Sequence, residues 1–190
     1  MKDISIHVAG LMAAAARTAP KAGGKDFLEI VVVSAEADLK AIAAKMAEYA
    51  PKSTNESFWL RDADNIANAH AVVLIGLAKR VAAGYDCGAC GYPTCKEFLA
   101  ARSQDGGAID KAMGYSGPHC AMRMMDIGVA LSSAAKTASL LSVDCRVQQR
   151  VGAAARALGI IKAEVAMGIP LGVYGKSPFF DRKAAPVPGH

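Results

Sequence analysis

The chain has 190 residues, 53% of them hydrophobic and 21% charged, and carries a formal net charge of +5. This composition excludes a disordered chain and fits one globular domain with a sizeable core, with room for a small inserted module. The basic excess is slight and scattered, with short clusters such as Lys79-Arg80 and Arg182-Lys183, and aromatic residues make up 6%, so no nucleic-acid partner is expected.

The elements follow in chain order. The run Val8 to Ala16 is apolar but shorter than the roughly 18 residues of a membrane span. Asp3 and Arg17 flank it, and it lacks the basic region and cleavage site of a secretory leader. It therefore reads as part of a first helix, Ile4–Thr18, built from strong helix formers and broken by Ala19-Pro20 and Gly23-Gly24. No membrane association is expected, and the cytoplasm is the expected location.

FLEIVVV, Phe27–Val33, is a β-branched run that predicts a buried strand. Ser34 is then placed as the N-cap of a helix Ala35–Tyr49, with Leu39, Ile42, Ala43 and Met46 on one face and Pro51 as its stop. Asp64–Ala69 predicts a helix leading into an apolar strand, Ala71–Leu77. Beyond a glycine-rich, cysteine-bearing stretch lies the longest helix candidate, Met122–Leu141, whose apolar residues go almost all round and predict burial on most sides. Ala153–Leu158, closed by Gly159, reads as a helix, Glu164–Ile169 as a strand, and Pro170 onward as an extended tail. Strands alternating with helices give an α/β or α+β sheet flanked by helices.

Three of the five cysteines fall in DCGACGYPTC, as Cys87, Cys90 and Cys95. Close thiols in a large aliphatic chain point to metal or redox chemistry rather than to a disulfide framework. The two-residue spacing of Cys87 and Cys90 lets two sulfurs converge on one ion or cluster, and Gly88 and Gly91 permit a left-handed backbone and close approach. Backbone N–H groups in such a loop can point at inorganic sulfide. The fourth ligand must come from elsewhere. Cys120, at the entrance of the long helix, is the first candidate, and Cys145 in SVDCRV is the second. An iron–sulfur cluster leads this reading, ahead of a structural zinc site, in which His119 could stand for a cysteine, and of redox-active free thiols.

CGACGYPTC resembles the four-cysteine iron–sulfur domain of the B subunit of the Rnf electron-transport complex and of the corrinoid iron–sulfur protein. That resemblance implies a [4Fe–4S] cluster, although the interval from Cys95 to Cys120 is longer than in that pattern. APKAGGKDFLEIVVV, and then DIGVALSSAAKTASLL, GAAARALGI, GIPLG and DRK in order, resemble the flavin-dependent nitroreductases. The combination is similar to a family of uncharacterised ferredoxin-domain proteins of bacteria and archaea, and the chain is identified as a member.

The resemblance implies an α+β, nitroreductase-like core at residues 1–80 and 121–190, with a small iron–sulfur module inserted at 81–120. It also implies a homodimer formed around the long helix, which needs more cover than one core provides. An FMN site would need phosphate ligands, for which Arg17, Lys21 and Arg182 are the candidates, with Lys25 nearby. Lys21, Gly24 and Asp26 stand where nitroreductases carry serine, asparagine and glutamine, so stoichiometric FMN is not expected.

The expected function is one-electron transfer to an unidentified redox protein. A flavin- and cluster-dependent oxidoreductase and a structural or sensing metal site are the alternatives. Tyr92, Phe98 and Tyr115 are expected to shield the cluster. Lys96, Lys111 and Arg123 read as a solvated face, or as a guide for an acidic partner. His7 is expected to be a partly buried structural histidine, and His70 to be on the surface.

Overall fold

Ala71–Leu77 forms strand β2, and all seven of its residues are buried. A strand covered on both faces belongs inside a sheet. Strand β1 (Leu28–Val33) pairs with one side of β2 and β4 (Val165–Gly172) with the other, while the two-residue β3 (Asp144–Cys145) closes the far edge of β4. The order is β1-β2-β4-β3 and every pairing is antiparallel, which makes the fold α+β. The protein is described by a computed structural model covering residues 1–78, 81–104 and 117–180, with 102–104 described by backbone alone.

Alternation along β2 divides the core between two layers of helices. Ala71, Val73, Ile75 and Leu77 face helices α1 (Lys2–Thr18) and α5 (Ala121–Leu140), where Met12, Ala16, Ile127 and Ala134 meet them. Val72 and Leu74 face α2 (Glu36–Tyr49), α3 (Glu56–Ala67) and α6 (Gln149–Ala157), through Ile42, Met46, Trp59 and Val151. A Cβ on Gly152 would lie 1.9 Å from the Ala166 carbonyl oxygen, so a glycine is what lets α6 rest directly on β4. Helix α4 (Cys95–Gln104) stands between β2 and α5 in the chain.

Several boundaries differ from the sequence reading. The N-cap of α2 is Ala35 rather than Ser34, with no side-chain cap among the described residues. Helix α3 begins at Glu56, well before Asp64, because Trp59, Ala63 and Ile66 make a buried stripe that its many polar residues conceal. Helix α6 likewise starts at Gln149 rather than Ala153.

Strand β4 continues through Pro170 to Gly172, where a tail was expected. Proline is tolerated because its carbonyl makes the cross-link, accepting from Arg146 N–H at 3.3 Å. Helix α5 is not buried on most sides by its own chain. One stripe, including Ile127, Ala130, Ala134 and Ala138, is covered, while Met125 and Val129 remain 52% and 42% exposed. The two histidines exchange roles: His7 is exposed, and His70 is half-buried with its Nδ1 2.8 Å from Ser5 Oγ and its ring against Tyr174.

Candidate metal centre

The loop that follows β2 is shaped by left-handed residues. Asp86, Gly88 and Gly91 have φ of 47°, 70° and 87°, so both Cys87 and Cys90 are followed by a glycine in the region glycine favours. Gly91 N–H donates to Gly88 O at 2.9 Å and closes a turn around Cys90. Asp86 Oδ1 accepts Cys95 N–H at 2.6 Å and ties the start of the loop to the start of α4.

Thr94 and Glu97 form a reciprocal cap. Glu97 N–H donates to Thr94 Oγ1 at 3.2 Å, and Thr94 N–H donates to Glu97 Oε2 at 3.3 Å. Thr94 is thereby the N-cap, and Cys95 is the first residue of α4. Cys120 is itself the N-cap residue of α5 and is buried, its carbonyl accepting Met124 N–H at 3.0 Å.

Two of the four expected ligands therefore sit at helix N-termini, where unpaired backbone N–H groups favour a bound negative charge. Cys87 is exposed, and Cys90 and Cys95 are half-buried. Phe98 is buried and meets Tyr92 edge-on at 5.9 Å, so two of the three expected shielding rings are in contact; Tyr115 and Lys111 lie outside the described residues. Among the described residues no three Cys, His, Asp or Glu side chains are gathered closely enough to hold a metal ion. The fit to an iron–sulfur cluster rests on the donor chemistry: soft thiols, two helix N-termini and a glycine-shaped loop.

Cys145 has a different setting. It lies on the edge strand β3, with Sγ 3.9 Å from Ala135 O. Burial, and then the charge of Asp144, push its thiol up to about 11. That environment opposes the thiolate that a metal ligand must be.

The loop after α1 is the other half of the region. Arg17 Nη1 contacts Asp26 Oδ2 at 2.7 Å and Leu28 O at 2.9 Å. Lys21 Nζ donates to Ala16 O at 2.9 Å and to Arg17 O, and lies 4.0 Å from Asp26 Oδ2. Burial alone would raise the Asp26 carboxyl. The hydrogen bond from Arg17, the Leu28 N–H and the charges of Arg17 and Lys21 outweigh it and hold the group below its ordinary value. Both candidate phosphate ligands are thus already engaged, and Arg182 lies outside the described residues.

Two features of this region were not foreseen. Tyr85 packs on the loop, since a Cβ on Gly23 would lie 2.9 Å from its hydroxyl. Arg123, read in the sequence as solvated, is 1% exposed. Its Nη1 contacts Asp126 Oδ2 at 2.7 Å, Ala22 O at 3.1 Å and Lys25 O at 3.3 Å, and its guanidinium lies 4.8 Å from the Phe27 ring centre. Asp126 Oδ1 in turn accepts Ala22 N–H at 2.7 Å. The available signal was a pair of opposite charges spaced three residues apart in the otherwise apolar first half of α5, Ala121 to Leu131.

A family model for an Fe–S cluster matches residues 83–111. A second, described as an uncharacterized protein containing a ferredoxin domain, matches residues 116–182. An "Uncharacterized protein" of Archaeoglobus fulgidus is 43% identical over 182 residues, which is 95% of this chain and 94% of that protein. Among solved structures, a nitroreductase with bound FMN from Desulfitobacterium hafniense matches with a TM-score of 0.58 at 15% identity, covering 90% of this chain and 79% of that one. A BluB-like flavoprotein from Clostridium difficile matches with a TM-score of 0.53 at 16% identity, covering 98% and 86% respectively. These structural likenesses establish the nitroreductase fold.

Proposed function

The chain belongs to the family of uncharacterised proteins containing a ferredoxin domain, an iron–sulfur protein on a nitroreductase fold, and we propose that it transfers single electrons through a [4Fe–4S] cluster held by Cys87, Cys90, Cys95 and Cys120. The observation that carries this reading is the placement of Cys95 and Cys120 at the starts of α4 and α5, while Cys145 is held as a thiol on the sheet edge. When bound, such a cluster takes up and releases one electron. The protein's share is to supply four thiolates from a loop shaped by Gly88 and Gly91, and to exclude water with Phe98 and Tyr92.

The cluster module is assigned to residues 81–120, inserted into a core made of residues 1–80 and 121–190. β2 ending at Leu77 and α5 beginning at Ala121 support that division. A second copy is assigned to the exposed face of α5, supported by Met125 and Val129. Among the described residues no helix is long and apolar enough to cross a membrane; the cytoplasm is assigned from the use of cysteine. The partner is another redox protein rather than a nucleic acid or a membrane.

Flavin is assigned no stoichiometric role, because Arg17 and Lys21 are committed to Asp26 and to backbone carbonyls. Anaerobic purification is expected to give brown protein with about four irons and as much sulfide per chain. Cys120→Ser should abolish that iron and Cys145→Ser should leave it unchanged. Stoichiometric zinc without sulfide would overturn the electron-transfer reading. Submicromolar FMN binding, followed by flavin fluorescence, would make the flavin- and cluster-dependent oxidoreductase the better reading.

A further inference from the structure

We infer that Arg123 is a positioning residue for the cluster, seating the start of α5 on the loop after α1 and placing a buried positive charge one turn from Cys120. This rests on the cluster reading above. Cys120 caps α5 from outside the helix, and Arg123 is the third helical residue after it, so the two are separated by the opening turn of α5. A guanidinium that is 1% exposed is costly to bury unless its charge and donors are answered.

The answer within the described residues is partial. Three contacts all fall on Nη1, to Asp126, Ala22 and Lys25, whereas the buried Nε has no hydrogen-bond partner among the described residues. Asp126 divides its carboxylate between Arg123 and the Ala22 N–H. A buried cation with a donor to spare, one turn from a ligand, suits an anionic group bonded at Cys120.

The same pair reaches the rest of the module. Arg123 and Asp126 together hold both ends of the Ala22–Lys25 segment, and Tyr85, two residues before Cys87, packs on Gly23 within it. The first and last cysteines are thus attached to one short segment through Tyr85 on one side and Arg123 on the other.

The charge has a definite consequence. Reduction adds an electron to an already anionic cluster, and a nearby fixed cation favours it. Removing that cation should make the midpoint potential more negative, and removing its counter-charge should make it more positive.

The test is potentiometry on anaerobically purified full-length protein, followed by electron paramagnetic resonance, with iron and sulfide measured in each sample. Arg123→Gln is expected to shift the potential to more negative values and Asp126→Asn to more positive ones. Arg123→Lys, which keeps the charge, should stay closer to the wild type than Arg123→Gln. A variant with no structural consequence beyond local loosening would not give shifts of opposite sign.

Should Arg123→Gln fail to hold iron, the Asp126→Asn shift decides alone. Wild-type protein with a full cluster, and variants with a full cluster and unmoved or same-sign potentials, would end this inference and leave the cluster reading standing. Wild-type protein without iron and sulfide would end both.

Discussion

The sheet with its two helix layers and the cysteine loop are held together in different ways. In the core, Ala71–Leu77 is buried throughout and its backbone groups are consumed by β1 and β4, so the strand is specified by apolar packing. In the loop, Cys87 and the residues around it are largely exposed, and shape comes from left-handed glycines, the Asp86 carboxylate and the Thr94–Glu97 cap. The core's order follows from water exclusion, whereas the loop's follows from turn chemistry and from whatever its thiols bind. Substitutions in the first should therefore move global stability, and substitutions in the second should move metal content with little effect on the sheet.

Gly152→Val gives the largest expected effect. The new side chain would be driven into the Ala166 backbone on β4, which cannot swing aside as a flexible side chain would. Overpacking typically costs about 1–3 kcal/mol and more against backbone, so a loss at or above the top of that range is expected in chemical denaturation. Cys87→Ser, examined the same way in iron-free protein, should leave the midpoint almost unchanged. Equal losses in the two variants would erase the distinction between core and loop.

Helix α5 belongs to both regions, and its outer face gives the next test. Replacing Met125 and Val129 by Asp would remove two apolar side chains per protomer from the proposed symmetric contact and place like charges across it. Each apolar side chain contributes about 1.5–3 kcal/mol when fully buried, so dissociation should strengthen by more than about a hundredfold. Light scattering at micromolar concentration should give a dimer for the wild type and a monomer for the double variant. A wild-type monomer would show that this face of α5 is covered by something else.

Thiol chemistry separates the regions again. Burial and the Asp144 charge push the Cys145 thiol up to about 11, while Cys87 is exposed in a loop. Alkylation proceeds through the thiolate and needs access, so at pH 8 in iron-free protein the exposed Cys87 should react much faster than Cys145. Peptide mapping of the alkylated protein measures this. Comparable rates would mean that β3 opens readily and that Cys145 must be reconsidered as a ligand.

His70, half-buried just before β2, links stability to pH. Burial, and then the charges of the N-terminus and Lys2, lower the His70 pKa below its ordinary 6.5. The unfolded chain therefore takes up a proton at a higher pH than the folded one. Stability is fully present above pH 6.5 and is lost as the pH falls from there toward the lower folded value. Ser5, whose hydroxyl meets Nδ1, and Tyr174, stacked on the ring, are the contacts at risk. Denaturation midpoints at pH 8 and pH 5.5 should differ in the wild type and converge in His70→Asn. A slope unchanged in His70→Asn would assign the effect to another group.

What the sequence revealed follows the same division. β2 matches the apolar run Ala71–Leu77 residue for residue, and β1, α1 and α2 agree within a few residues, because each carries an apolar pattern strong enough to read. The starts of α3 and α6 were hidden because polar residues such as Asp62 and Arg150 break the apolar pattern there, and those two pair with each other in space at 2.9 Å. β3 is too short to have a period. The cysteines were legible as chemistry from their spacing. Arg123 and Asp126 were not, because a pair three apart on a helix looks the same in sequence whether it is solvated or buried; only the packing of α1, its following loop and α5 decides. The loop charges Arg17 and Lys21 were likewise visible as cations, but their capture by Asp26 was not.

The smallest expected effect is at the end of α5. The helix closes with Val143 N–H donating to Ala138 O at 3.0 Å and Ser142 N–H donating to Ser139 O at 3.3 Å, the paired bonds of a Schellman cap. The left-handed residue that such a cap needs is Ser142, with φ of 57°. α6 ends in the same way, with Ile160 N–H on Ala155 O and Gly159 N–H on Arg156 O, both at 3.0 Å, but there the left-handed position is a glycine, with φ of 72°. A serine held left-handed costs about 1 kcal/mol relative to glycine, part of which glycine gives back through the greater freedom of its unfolded state. Ser142→Gly should therefore stabilise the protein by roughly 0.5 kcal/mol, and Gly159→Ser should destabilise it by a similar amount. Val143, buried just beyond the cap, is the packed residue that holds the turn in place in both forms. Chemical denaturation of the two single variants and their combination measures this, and the combination should return close to the wild type. Destabilisation by Ser142→Gly would mean that the serine hydroxyl does more for the folded state than its backbone angle takes away.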